Sequence, residues 1–194
     1  MARWRRAWEE TNIDRILVPG ILAGMIAAIP MGLFVMIASG TYEDRGFYAP
    51  MYDITSLLGD ETVARSVQEA ASGNLFFLVA EPMLFGVAMH LMVGAFYGAI
   101  FAAVARVVPS RASTVLTGIV YGLLVMVLMS FIVVPVADAI LEGSERLRSP
   151  PTTVGWGTFA LQHVIYGLVL GWWPWLRPQE ARSRPSARAD RRPQ

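Results

Sequence analysis

His90-Leu-Met-Val-Gly94-Ala-Phe-Tyr-Gly98 sets a histidine ahead of two glycines at steps of four residues. The pattern returns as His163-Val-Ile-Tyr-Gly167-Leu-Val-Leu-Gly171. Residues four apart lie one above another on the same face of an α-helix, so each set forms a stripe along one helix. Both stripes lie inside long apolar runs without charge. There, glycine lets a second helix come close, and histidine is the rare polar group. Such stripes are expected to be helix contact faces inside a membrane.

Composition points the same way. Hydrophobic residues make up 55% of the 194 and charged residues only 16%, against about 25% charged in an ordinary soluble domain; mean hydropathy is +0.47. The charges collect in tails and loops, the mark of an integral membrane protein. A net charge of +1 gives no global electrostatic role, and nucleic acid is not an expected partner. All sixteen basic residues are Arg. Cysteine is absent, which excludes disulfides, thiolate metal sites and cysteine nucleophiles.

The expected fold is all-α: a polytopic bundle of four transmembrane helices. Spans fall at about 16–38, 75–107 (most apolar over 83–105), 114–137 and 154–176. The first is longer than the apolar core of a signal peptide, about 7–15 residues, and is read as a retained span. Pro30 lies inside it and is expected to kink it. Residues 1–15, with Trp4 and Trp8 among arginines, read as a short cytoplasmic segment at the lipid interface. Loops 39–74 and 138–152 lie outside the spans. In the first loop, Gly46-Phe-Tyr-Ala-Pro50 opens an interfacial or re-entrant piece, and Asp60 is expected to cap a short helix ending near Ser72-Gly73. That loop either carries function or covers the outer mouth of the bundle. Pro82 either starts the main helix of span two or kinks a longer one. Residues 177–194, rich in Arg, Pro and Ser, read as a disordered cytoplasmic tail.

Arginine placement sets the expected orientation. Four Arg precede span one, Arg106 and Arg111 flank the link between spans two and three, and six Arg follow span four. The two other loops hold acids, among them Glu43, Asp44, Asp53, Glu61, Glu69, Asp138 and Glu142. The positive-inside rule therefore puts both termini in the cytoplasm of a bacterial cell, with the bundle in its cytoplasmic membrane.

Halving the chain exposes a repeat. Gly20-x-x-x-Gly24 opens span one as Gly118-x-x-x-Gly122 opens span three, and the His-Gly-Gly stripes of spans two and four match each other. Each half then reads as a helical hairpin, and two spans per repeat keep both copies in one orientation. Chance is the competing account, because glycine is common in membrane helices.

Candidate chemistry rests on few residues. At 1.5 Å per residue, His90 and His163 both lie on the order of 10–12 Å below the outer edge of their spans. Facing each other, they would suit haem b, copper with Met89 or Met92, or proton relay. Otherwise each is a neutral imidazole bonded to a neighbouring helix. Glu81 is the remaining intramembrane ionisable group, either a polar site or an interfacial carboxylate at the end of span two. Nine residues separate it from His90, which puts the two on opposite faces. Tyr97-Gly98, Tyr121-Gly122 and Tyr166-Gly167 recur as packing units, the glycine admitting a helix while the hydroxyl finds a partner. No phosphate-binding loop, dinucleotide fingerprint or nucleophile elbow is present, and no catalytic residue or metal-ligand set is identified.

The glycine-bearing first span, the Gly46-Phe-Tyr-Ala-Pro50 loop and the His-Gly-Gly spans together resemble small bacterial inner-membrane proteins such as the YagU-like group, over about residues 16–176. That resemblance implies a multi-pass inner-membrane protein and brings no reaction and no site residues. The expected function is a non-enzymatic accessory or homo-oligomeric membrane protein, packing through Gly20, Gly24, Gly94, Gly98, Gly118, Gly122, Gly167 and Gly171. Its partners would be the bilayer and a second copy or another membrane protein, and no cofactor is expected. The alternatives are a haem- or copper-binding redox subunit using His90 and His163, and a small transporter or channel.

Overall fold

Long apolar segments with no water to serve their backbones can only satisfy those groups internally, as helices. The computed structural model describes residues 14–59, 61–105, 108, 110–141 and 150–173, and its ordered elements are all helical. Helix α1 is Asp14–Thr41 and α2 is Ala49–Thr55, continued by a tighter turn at Ser56–Leu58. Next come α3 (Thr62–Ala71), α4 (Ala80–Ala105) and α5 (Arg111–Leu128). A wider π turn, Met129–Val133, joins α5 to α6 (Val134–Leu141), and α7 (Pro150–Val154) and α8 (Trp156–Trp172) are the last of the described elements.

Among the described residues, three segments are long and apolar enough to cross a membrane: Ile16–Thr41, Ala80–Ala105 and Arg111–Leu141. Their outer surfaces are apolar, as a membrane would require: Leu22, Ile29, Leu33, Phe96, Leu116, Leu124, Phe131 and Ile140 are half or more exposed. Elsewhere in the fold, Arg45, Asp53, Gln162 and His163 are buried. The region expected as a fourth span, 154–176, holds the 17-residue α8. Gly155, at φ +81°, separates it from α7, a backbone conformation that glycine adopts without the steric penalty of a Cβ.

Local chemistry explains the boundaries. Ser110 caps α5 by accepting a hydrogen bond from the Ser113 N–H at 3.1 Å. Pro82 lies in the first turn of α4, where its missing N–H removes no ladder bond. Helix α1 continues through Pro19 and Pro30. Boundaries differ from expectation in several places: residues 39–41 belong to α1, 75–79 precede α4, and 138–141, read as the start of a polar loop, belong to α6, with Asp138 buried. The wider turn just before Pro135 accommodates that proline and lets the helix run on. The expected cap Asp60 lies outside the described residues, as do 1–13, 106–107, most of the second loop and 174–194. Glu61 stands at the start of α3 without a side-chain cap bond.

Glycine seams assemble the helices into pairs, α1 with α4 and α5 with α8. A Cβ on Gly24 would overlap the Gly94 carbonyl and lie 2.8 Å from the Gly98 Cα. A Cβ on Gly118 would overlap the Gly167 carbonyl and lie 2.8 Å from the Gly171 Cα. The backbones therefore touch, and only glycine permits it. The seams repeat with a shift from the sequence match: Gly24, not Gly20, occupies the place that Gly118 holds. Gly20 instead meets the Gly98 carbonyl and Ala102, one turn further along.

The two pairs join through α1 and α8, whereas α4 touches α5 and α8 at few places. Tyrosines bridge that looser side. Tyr166 Oη donates to the Gly94 carbonyl at 2.8 Å, and Tyr121 Oη donates to the Tyr97 carbonyl at 2.8 Å. Small alanines (Ala23, Ala27, Ala28, Ala102) and Phe101 fill the core around them.

Residues 42–79 fold over one end of the bundle as a cap. Tyr52, fully buried, anchors it by accepting from the Val79 N–H at 2.8 Å and donating to the Phe77 carbonyl at 3.3 Å. Helix α2 rests on α4 at Gly86, where a Cβ would strike the Met51 carbonyl.

Candidate functional site

The cap and the two helix pairs form a partly open cavity of about 230 Å³, and both histidines line it. Its wall is assembled from every part of the fold: Ala28 and Met31 of α1, Met51 and Ile54 of α2, Val93 and Tyr97 of α4, Val125 of α5, and Phe159 and Tyr166 of α8. The wall is almost entirely apolar. The cap supplies one side of it, so the first loop is both a cover and part of the site.

Each imidazole is held by one nitrogen. His90 Nε2–H donates to the Ala28 carbonyl at 2.9 Å, across the α1–α4 seam. Pro30 stands in that same turn of α1, where it cannot contribute a backbone donor. Gly32 leaves room for the ring: a Cβ there would lie 3.1 Å from His90 Nε2. His163, only 4% exposed, donates from Nδ1–H to the Phe159 carbonyl of its own helix at 2.7 Å, its ring tilted against the Phe159 ring. A carbonyl oxygen can only accept, so these bonds settle the tautomers of the neutral rings. The second nitrogen of each ring is an acceptor with no partner among the described residues.

Gln162 completes the polar set. It is 5% exposed, it lines the cavity, and its amide makes no hydrogen bond among the described residues. Buried side-chain amides are ordinarily bonded. Helix geometry sets Gln162 and His163 side by side on α8, with Tyr166 one turn on. His163 stands out in the sequence as the rarer group, and Gln162 beside it left only the signal of an amide inside an uncharged 23-residue run at 154–176.

Asp53, also on the cavity wall, is already committed. Arg45 Nη2 donates to both its carboxylate oxygens, at 2.7 and 2.9 Å, with Arg45 9% and Asp53 8% exposed. Ser39 Oγ ties the same turn to α1 by donating to the Gly46 carbonyl at 2.7 Å. This buried ion pair was not legible in the sequence; opposite charges eight apart, in a loop that holds several other charges, were its only trace.

Beside it, Tyr42 Oη and Thr158 Oγ1 lie 2.9 Å apart and link the turn after α1 to the start of α8. Glu43 in that turn is half-buried, its oxygens sealed without a well-formed hydrogen bond. Burial raises its pKa above the ordinary value of 4.5; the Thr158 hydroxyl and Arg45 offset this in part, and Asp53 adds to it.

The other expected site residues are placed differently. Glu81 is exposed in the first turn of α4 and does not line the cavity. All eight seam glycines meet backbone or small side chains of the partner helix within the chain. Met89 lies with His90 on the cavity wall and Met92 is exposed. No group of three or more His, Cys, Asp or Glu able to hold a metal ion occurs among the described residues. At about 230 Å³ the cavity lies below the roughly 300–1,000 Å³ of pockets for drug-sized ligands, so a porphyrin would require the helices to part. Comparison of the chain with family models, with curated proteins and with solved structures finds no match. The cavity is therefore interpreted from its own chemistry.

Proposed function

We propose that this chain is a non-enzymatic integral membrane protein whose bundle binds a small, mainly apolar molecule in the cavity under its cap. One observation carries the reading: Gln162, only 5% exposed, opens its amide on the cavity without a partner among the described residues, beside two imidazoles on an otherwise apolar wall. Leaving a buried amide unmet costs about 1–3 kcal/mol, and a cavity forfeits the packing of its lining atoms. Both costs are recovered when a ligand of matching shape enters. The glycine stripes, which would otherwise serve a homo-oligomer, are already used inside the chain, and this favours the cavity over the stripes as the functional feature.

The proposal includes a membrane setting. Helix α8, at 17 residues, reaches roughly 25 Å and falls at the short end of the range for a spanning helix. With it the bundle has four spans, the cap outside and both termini in the cytoplasm of a bacterial inner-membrane protein, in keeping with the arginine distribution and the resemblance to the YagU-like group. A reporter fused after Gln194 and active only outside the cell would overturn that orientation.

The binding reading is tested on the full chain in nanodiscs, with p-xylene as the probe. Saturable thermal stabilisation is expected in the wild type, and its loss in Val93→Phe, which fills the chamber. Equal responses from both proteins, or none from either, would refute it.

A further inference from the structure

We infer that the molecule this cavity accepts is a compact alcohol or phenol: an apolar body of about one ring that carries a hydroxyl. The inference rests on the cavity-binding reading above and adds to it the chemistry of the ligand's polar end.

Size comes first. An engineered apolar cavity of about 150 Å³ holds one benzene. The 230 Å³ here accommodates a ring with one or two small substituents.

Polarity follows from which protons are already in use. His90 and His163 each spend the single N–H of a neutral imidazole on a backbone carbonyl. Tyr97 Oη donates to the Met129 sulfur at 3.4 Å, and Tyr166 Oη donates to the Gly94 carbonyl. Arg45 spends Nη2 on Asp53, and its unpartnered Nη1 does not reach the cavity, because Arg45 is not on the wall. Of the wall groups named here, only the Gln162 amide retains free donors, while two imidazole nitrogens and the Gln162 carbonyl remain as acceptors.

The few free polar atoms on the wall are therefore mostly acceptors. A hydroxyl suits it, because the O–H donates to an imidazole nitrogen or to Gln162 Oε1 while its oxygen accepts from the Gln162 amide. An ether or ketone can only accept from that amide and leaves the imidazoles unmet. A carboxylate or phosphate brings charge and further acceptors into an apolar chamber with no free cation on its wall among the described residues, and burying such a charge is costly.

The test compares p-cresol, 4-methylanisole and p-xylene against the full chain in nanodiscs, read by titration and by the ¹⁵N resonances of the imidazoles. p-Cresol is expected to bind on the order of tenfold more tightly than the other two, as one added buried hydrogen bond implies. It is also expected to shift at least one unprotonated imidazole nitrogen. Gln162→Leu and His163→Phe should each weaken the preference, and circular dichroism of each variant separates loss of the polar contact from loss of folding. Equal binding of all three probes, or tighter binding of 4-methylanisole, overturns the alcohol inference while the cavity reading stands. Saturable binding of none of them overturns both.

Discussion

Gln162→Leu is expected to make the ligand-free protein more stable, against the usual direction for a substitution in a packed interior. The wild-type amide is 5% exposed and unpartnered among the described residues. Burying an unmet amide costs about 1–3 kcal/mol; water in the chamber reduces this, because a water molecule needs two to four polar partners and only Gln162 and the imidazoles offer them. Leucine has a similar volume, removes that cost and adds apolar contact with the chamber wall. A net gain of about 1–2 kcal/mol follows, or roughly 2–8 °C in unfolding temperature for a chain of this size. The assay is thermal unfolding of ligand-stripped protein in one detergent, with Gln162→Met as a second, more flexible replacement. A fall in stability of about 1 kcal/mol or more in both variants would show that the amide is satisfied in the native state, and the reasoning from the cavity would fail.

The seams give a matched pair of tests. Gly24→Ala must drive a methyl into the Gly94 carbonyl and should cost about 1–3 kcal/mol, whereas Gly157→Ala, with open space around it in α8, should gain about 0.5–1 kcal/mol from helix preference; thermal unfolding reads both. Arg45→Met removes the cation that neutralises the buried Asp53 carboxylate and is expected to cost about 3–5 kcal/mol, while adding Asp53→Leu should recover most of the loss. Tyr166→Phe removes the hydroxyl bond to Gly94 between the helix pairs, and a loss of about 0.6–1.7 kcal/mol is expected in a double-mutant cycle. Glu43 gives a pH dependence. Its folded pKa is raised, so its burial penalty is fully present at neutral pH and fades as pH falls through the folded pKa toward 4.5. Glu43→Gln should therefore raise the unfolding temperature at pH 7 and have no effect below pH 4.5; a gain that persists in acid would contradict the assignment.

Much of the site was legible in outline. His90 and His163 stood out as polar groups in apolar runs, and both line the cavity. Glu81 stood out for the same reason and does not, because Pro82 starts the helix there and leaves the carboxylate in an exposed first turn. Gln162 drew no attention beside its histidine neighbour, and Arg45–Asp53 lay hidden in a loop where charge alone says nothing of pairing.

What the sequence by itself determined is local. Uncharged runs dictate helices, because in lipid a backbone must bond within its own segment; prolines, Ser110 and Gly155 then set where those helices begin and break. The glycine spacing also identified which face of each helix would be touched. The tertiary structure alone decided what touches it. These helices are apolar all round, so no amphipathic stripe tells one neighbour from another, and four-residue glycine repeats pair equally well after sliding by one turn. Contact between whole surfaces settles that choice: it sets Gly24 in the place of Gly118, uses the seams within the chain, and leaves His90, Gln162 and His163, from segments some seventy residues apart, around one small chamber.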